Sequence, residues 1–118
     1  MYGSHYNTLS NNTINSNDLG IFLYYSHYNR LLSNNVSNNG VGIQLETSSY
    51  NTLSNNIANS NKLYDGISLF TSSNYNTISN NTANFNNYRG IYLFSSSYNN
   101  ITGNTAKSNN EYGIKLYY

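Results

Sequence analysis

Many apolar residues lie two positions away from another apolar residue or from an asparagine, so that they form pairs along the chain. Examples are Asn7/Leu9 and Ile21/Leu23. This spacing puts both side chains of a pair on one face of a strand. Steps of three or four residues separate the pairs, which suits corners between short strands. No segment shows the i, i+3, i+4, i+7 spacing of an amphipathic helix, so the pattern predicts an all-β chain.

The pattern repeats five times. The dipeptide Tyr-Asn recurs at steps of 22, 22, 25 and 23 residues, and the unit Gly-Ile-x-Leu at steps of 22, 24, 24 and 23. Repeats this short cannot bury an apolar face alone and must stack. We therefore predict a parallel β-helix of five coils, with 22–25 residues and three short strands per coil, forming a single domain over residues 1–118. A leucine-rich repeat has an overlapping period but expects one Asn column and more leucines.

Four aliphatic columns form the predicted interior: Leu9, Leu31, Leu53, Ile78, Ile101; Ile14, Val36, Ala58, Ala83, Ala106; Ile21, Ile43, Ile67, Ile91, Ile114; and Leu23, Leu45, Leu69, Leu93, Leu116. Each repeat also carries a serine, at Ser26, Ser48, Ser72 and Ser96 in the first four. The extra residues of the longer repeats fall at corners, one of them between Ser72 and Asn76.

Asparagine and serine fill 27 and 18 of the 118 positions. Such a composition permits a low-complexity segment, but the regular order of the residues argues for stacked coils. Asn amides can hydrogen-bond from coil to coil, and Asn tolerates the left-handed backbone that tight corners need. The predicted Asn ladders are Asn7, Asn29, Asn51, Asn76, Asn99; Asn12, Asn34, Asn56, Asn81, Asn104; and Asn17, Asn39, Asn61, Asn86, Asn109.

Charge and composition exclude several classes of protein. Five Lys and Arg against four Asp and Glu leave a net charge of +1, and only 8% of residues are charged. A nucleic-acid binder needs a basic cluster to neutralise phosphates, so we expect no nucleic-acid partner. No apolar run approaches the roughly 20 residues that span a bilayer, and we expect no membrane insertion. The chain lacks cysteine, which excludes disulfides and thiolate metal sites.

The motif Asn-x-Leu/Ile-x-x-Asn, followed by Gly-Ile-x-Leu-x-x-Ser-x-x-Asn, resembles the right-handed parallel β-helix repeats of NosD-like and pectin-lyase-like proteins. The resemblance runs from about Tyr6 to Leu116 and is specific for architecture rather than activity. It implies right-handed coils and a location outside the cell, on its surface or in the periplasm. Proteins of this kind include polysaccharide lyases and hydrolases, NosD-like proteins linked to copper-site assembly, and surface proteins.

Candidate catalytic residues are few. Asp18, Asp65 and Glu111 fall on one edge of alternate coils, and Arg89 falls on the same edge. Glycoside hydrolysis usually needs two facing carboxylates, and the lyases that the chain resembles use clustered Asp, often with calcium. Two Asp in the whole chain are too few for either arrangement or for an Asp-rich calcium repeat. We interpret these residues as solvated corner charges and predict no catalytic residue and no cofactor.

Two histidines occupy equivalent positions before Tyr-Asn. His5 and His27 would stack about 4.8 Å apart and could share a copper or zinc ion. The column continues with Ser49, Asn74 and Ser97, and Met1 is the only methionine. We therefore predict no metal site.

Aromatic residues are the most prominent exposed feature. An unbroken column consists of Tyr6, Tyr28, Tyr50, Tyr75 and Tyr98. Tyrosine offers an apolar ring and a polar hydroxyl, so the column is a candidate carbohydrate-binding surface. The alternative is an external ladder that stabilises the coils. A second column, interrupted by Glu46, is Tyr24, Phe70, Phe94 and Tyr117, and a cluster near the Gly corner is Tyr64, Tyr88 and Tyr112.

The sequence thus predicts a non-enzymatic β-helix module of a surface or periplasmic protein, acting as a scaffold and possible carbohydrate-binding surface. Expected partners are polysaccharide or surface proteins. Alternatives are a fragment of a polysaccharide-cleaving enzyme whose catalytic residues lie elsewhere, and a NosD-like role in copper delivery. Neither a polar cap nor a signal peptide is evident, which favours a piece of a longer exported solenoid. End-to-end self-association through bare ends is the other expectation.

Overall fold

Ten strands and no helix make up the computed structural model, which describes all residues from 1 to 118. Five short strands are β1 (Thr8–Ser10), β3 (Arg30–Leu32), β5 (Thr52–Ser54), β7 (Thr77–Ser79) and β9 (Asn100–Thr102). Five mostly longer strands are β2 (Leu19–Tyr24), β4 (Val41–Glu46), β6 (Ile67–Phe70), β8 (Arg89–Phe94) and β10 (Tyr112–Tyr117). No helix is present that could cross a membrane.

The strands form two parallel sheets. The short strands pair in the order β1-β3-β5-β7-β9 and the others in the order β2-β4-β6-β8-β10, so each strand pairs with its equivalents in the coils before and after. Equivalent residues face each other, as in the pairing of Leu31 with Leu53 and of Ile43 with Ile67. The prediction of an all-β solenoid of about five coils is confirmed.

The third predicted strand is shorter than expected. Two strands form in each coil, and the third segment contributes only single bridges, through Thr13, Asn35, Ile57, Thr82 and Thr105. In the first coil this segment lies between Asn11 and Ser16, which both have left-handed backbones.

The core lies between the sheets and follows the predicted columns. Fourteen buried apolar residues form one cluster, and Leu9, Ile14 and Ile101 pack against it from the outer coils. Glycine precedes each inward Ile because the interior has no room there for a side chain. A Cβ on Gly66 would lie 2.6 Å from Asn86 Nδ2 and 2.7 Å from the carbonyl oxygen of Ala58.

The three predicted Asn ladders are present, and their members in the second, third and fourth coils are buried. Asn56 is representative: its Oδ1 accepts hydrogen bonds from the backbone N–H and the side-chain amide of Asn34, each at 3.0 Å. Its Nδ2 donates to the carbonyl oxygen of Leu31 at 2.8 Å and to Asn81 Oδ1 at 3.0 Å. Each amide therefore satisfies backbone groups that the corner leaves unpaired.

The left-handed residues differ from the prediction. The ladder asparagines do not have the left-handed backbone that we expected of them; the residue immediately before each one does. Those before the first ladder are Tyr6, Tyr28, Tyr50, Tyr75 and Tyr98, with φ between 56° and 60°. The ladder side chain must point inward to reach its partners, and the sharp change of direction falls on the preceding residue.

A serine ladder completes the buried polar network, and one assignment in it was wrong. The backbone N–H of Ser48 donates to Ser73 Oγ at 3.1 Å, and that of Ser73 donates to Ser96 Oγ at 3.2 Å. Ser73, not Ser72, is therefore the third-coil member. Thr71 and Ser72 both have positive φ, so the extra residue of this coil lies before the ladder serine rather than after it.

Candidate functional site

The column of five tyrosines is a continuous stack. Neighbouring rings lie 5.0–5.2 Å apart between centroids and are nearly parallel, at 4–8°. The three inner tyrosines, Tyr28, Tyr50 and Tyr75, are 47–48% exposed. Because each inner ring has both faces covered by its neighbours, the stack presents ring edges and hydroxyls to solvent. Ring faces are accessible only at Tyr6 and Tyr98.

The two histidines stack as predicted, with centroids 5.2 Å apart and planes 17° from parallel. Their Nδ1 atoms are already engaged. His5 Nδ1 accepts a hydrogen bond from the backbone N–H of His27 at 3.0 Å, and His27 Nδ1 accepts one from that of Ser49 at 3.0 Å. Ser49 Oγ and Asn74 Oδ1 continue the series to the next coils. The column is thus an outer ladder of acceptors, which sequence reasoning missed.

The charged edge contains one ion pair. Arg89 Nε lies 2.8 Å from Asp65 Oδ1, Nη2 lies 3.3 Å from Oδ2, and the Arg89 backbone N–H also donates to Oδ1. Asp65 is 2% exposed. Burial raises the pKa of its carboxyl above the ordinary value of 3.8, an effect that hydrogen bonds and charge from Arg89 partly offset. Asp65 is therefore not the solvated corner charge that we expected.

A groove opens beside this ion pair on the outer face of the long sheet. Its volume is about 470 Å³, and its lining includes Asp18, Asp65 and Arg89, with Tyr64 and Phe70 as aromatic members. Glu111 is not part of the lining, although its charge contributes to raising the pKa of Asp65. Sequence reasoning placed these residues on one edge but did not predict the groove.

One sequence signal could have located it. The outward residue inside each Gly-Ile-x-Leu unit is Phe22, Gln44, Ser68, Tyr92 or Lys115. Ser68 is the smallest of the five and pairs with the longer Gln44 and Tyr92 on either side. A small residue between long ones makes a depression in an otherwise even surface.

Comparison with protein families gives one match. Residues 1–62 and residues 42–118 each match a family described as periplasmic copper-binding protein (NosD), so the matches together span the chain. The chain belongs to the NosD family. It is a NosD-like β-helix repeat domain, and the predicted resemblance to NosD-like proteins is confirmed. Comparison with curated proteins and with solved structures finds no match.

The NosD description raises the question of whether these residues fit copper. No group of three or more His, Cys, Asp or Glu side chains is arranged to hold a metal ion. A histidine that binds metal through one nitrogen normally donates a hydrogen bond from the other. In His5 and His27 the Nδ1 atoms accept hydrogen bonds instead, which places the proton of the neutral ring on Nε2. The pair therefore does not fit a copper site in this arrangement.

Proposed function

We propose that this chain is a non-catalytic scaffold module of a periplasmic or surface protein. The observation that carries the proposal is the continuity of the buried polar ladders. Amides of Asn34, Asn56 and Asn81 link consecutive coils, and the serine ladder does so at another corner. These bonds hold the coils in one register and leave the outward positions free for contacts. The periplasmic description of the NosD family supports the location.

Hydrogen–deuterium exchange tests the scaffold role. Backbone amides of the inner coils, including those of Asn34 and Asn56, are expected to exchange slowly in the isolated chain, because they are buried and bonded. The backbone N–H of Lys107 in the last coil, which donates to Asn84 Oδ1 but is exposed, serves as the comparison and should exchange faster. Rapid exchange of the inner amides, with protection only after a partner is added, would contradict a preformed scaffold.

Carbohydrate binding by the tyrosine stack is a second candidate function. The observation that favours it is the regular row of half-exposed tyrosines with a spacing of 5.0–5.2 Å. Since the inner ring faces are covered, a polysaccharide would contact ring edges and hydroxyl groups. These groups can donate and accept hydrogen bonds to sugar hydroxyls.

Depletion from solution by insoluble polysaccharides tests this second function. Tyr50→Ala and Tyr75→Ala should each reduce the depletion. Tyr112→Ala is the matched control, because Tyr112 is 49% exposed and lies outside the stack. No depletion by any polysaccharide, or equal loss in all three variants, would leave the stack as a stabilising ladder only. Release of soluble fragments from a polysaccharide would instead support the alternative of an enzyme fragment.

A further inference from the structure

The groove beside Asp65 and Arg89 has the shape and lining of a small-molecule site. Its volume of about 470 Å³ falls in the range of about 300–1,000 Å³ typical of ligand pockets. It lies between the extra residues of the third coil, which include Tyr64, and the outward residues of the long sheet. Apolar and aromatic side chains make up half of the lining residues, and the rest are polar. Such a mixture suits a ligand that has both apolar and hydroxyl-bearing surfaces.

The strongest local observation is an unsatisfied hydroxyl. Ser68 is 1% exposed, and its Oγ is the one buried side-chain polar atom without a hydrogen-bond partner. Buried polar groups are almost always paired, so an unpaired hydroxyl needs an explanation. Ser68 lines the groove, and its neighbour in the second coil, Gln44, lines it too. A ligand hydroxyl at this point would supply the missing partner.

Further donors are available next to Ser68. Arg89 uses two of its five side-chain N–H groups on Asp65, which leaves three for a ligand. The guanidinium is held in place because its carbon lies 3.5 Å from the centroid of the Tyr92 ring. Gln44 is half-buried and carries an amide that can both donate and accept. Together Arg89 and Gln44 offer the donors and the acceptor that a polyhydroxylated ligand requires.

The aromatic members of the groove have faces that no parallel ring covers. Tyr64 meets Tyr88 edge-on, at 6.3 Å and 65°, and Phe70 meets Tyr92 at 5.7 Å and 76°. Tyr64 is also 56% exposed. In the tyrosine stack, by contrast, the inner rings cover one another. The groove therefore offers what the stack lacks, an aromatic face against which the C–H face of a sugar ring can pack.

The charge of the groove limits the kind of sugar. Asp18 and Asp65 line it together with one cation, Arg89. Glu46 lines the adjoining depression, which shares Arg89. The local formal charge is therefore negative. Lys62 lines a further depression that shares Asp18 with the groove, so three acids lie near two cations, and the cation inside the groove is already paired. An acidic sugar would meet repulsion from the carboxylates.

We propose that this groove binds a pyranose ring of a neutral sugar, with Tyr64 or Phe70 against its apolar face and Ser68, Gln44 and Arg89 hydrogen-bonded to its hydroxyls. The proposal does not depend on the tyrosine stack. It assigns a separate site, on a different face of the coils, and can hold whether or not the stack binds polysaccharide.

Titrations followed by NMR test the site with four neutral trisaccharides, built from glucose, mannose, galactose or N-acetylglucosamine, and with trigalacturonate as the acidic comparison. At least one neutral sugar should bind with Kd of about 1 mM or tighter. Tyr64→Ala removes an exposed platform, and Ser68→Tyr fills the depression; each should weaken binding at least about tenfold, which is 1.4 kcal/mol. Tyr118→Ala is the control that should leave the Kd unchanged, because Tyr118 is 80% exposed and lies outside both the groove and the tyrosine stack. Tyr50→Ala is measured alongside to detect binding by the stack.

Three results would overturn the proposal, given variants whose melting shows that they are folded. One is the absence of binding by all four neutral trisaccharides at concentrations about tenfold above the expected Kd. Another is trigalacturonate binding as tightly as the best neutral sugar. The third is binding that is abolished by Tyr50→Ala but not by Tyr64→Ala or Ser68→Tyr. That result would place the sugar on the tyrosine stack instead.

Discussion

Replacing Asn56 by leucine tests the buried ladders directly. The Asn56 side chain accepts two hydrogen bonds from Asn34 and donates one each to Leu31 and Asn81. Leucine has a similar size but can make none of the four. The backbone N–H and one amide hydrogen of Asn34, itself 1% exposed, would then lack an acceptor.

The expected loss can be worked out from these contacts. Leaving a buried donor unpaired costs about 1–3 kcal/mol, so two donors cost about 2–6 kcal/mol. Burying leucine in place of the amide returns up to about 2 kcal/mol. We expect a net loss of about 3 kcal/mol, a large part of the roughly 5–15 kcal/mol that stabilises a typical domain.

The neighbouring asparagine provides the control. Asn55 is exposed and has a left-handed backbone with φ of 56°, so Asn55→Leu should lose about 1 kcal/mol from backbone strain alone. Asn55→Gly removes the side chain without that strain and should change stability little. Urea unfolding and thermal melting of the three variants give the comparison, and a difference of about 2 kcal/mol corresponds to about 8 °C in Tm. Equal losses in Asn56→Leu and Asn55→Leu would refute the ladder argument.

Three further predictions concern other parts of the fold. His27→Asn should melt close to wild type because an amide oxygen can still accept a hydrogen bond from the Ser49 N–H, whereas His27→Leu should lose about 1 kcal/mol. Equal Tm values for the two variants would show that the outer ladder contributes nothing to stability. Gly66→Ala should cost about 1–3 kcal/mol in urea unfolding, since its Cβ would lie 2.9 Å from the Gly90 carbonyl oxygen, and an unchanged midpoint would disprove the close packing. The pKa of Asp65 is higher in the folded chain than in the unfolded chain. The contribution of Asp65 to the free energy of unfolding should therefore be at its full value below pH 3.8 and should decrease as the pH rises through the folded pKa. Tm measured against pH should show this decrease in wild type but not in Asp65→Asn, and a rise in wild-type Tm over that range relative to Asp65→Asn would contradict it.

Sequence alone predicted the inward-facing residues well, for a physical reason. A parallel stack places equivalent residues of successive coils next to each other, so the constraint on each inward position repeats with the coil. Leu53 packs between Leu31 and Ile78 because all three occupy the same place in their coils. Repetition in the sequence therefore reports directly on the core and the Asn ladders.

Corners were predicted less accurately, because a corner can absorb an extra residue in more than one place. The third coil has one additional residue between Leu69 and Ser73, and two consecutive left-handed residues accommodate it. Spacing alone did not distinguish this from an insertion after Ser72. The sequence also did not show which residue of a corner takes the left-handed backbone, since inward side-chain contacts decide it.

The groove was not predicted because it does not repeat. Its features depend on single positions: a small Ser68 between two longer residues, an acid at position 65 followed one coil later by Arg89, and extra residues around Tyr64. Only the third and fourth coils combine them. A binding site on a solenoid is thus a local departure from the repeat, whereas the fold is the repeat itself.

The two kinds of ladder explain why such departures are tolerated. Inner side chains such as Asn29 accept from the backbone of the preceding coil, whereas outer side chains such as His27 accept from the backbone of the following coil. At its corners each coil is therefore hydrogen-bonded, through ladder side chains, to the backbones of both the preceding and the following coil. Residues on the outer face of the long sheet, such as Ser68 and Gln44, take no part in these ladders. Substitutions there can build a binding site at little cost to the stack, so the outer face of the long sheet is where the specific function of each NosD-like coil should be sought.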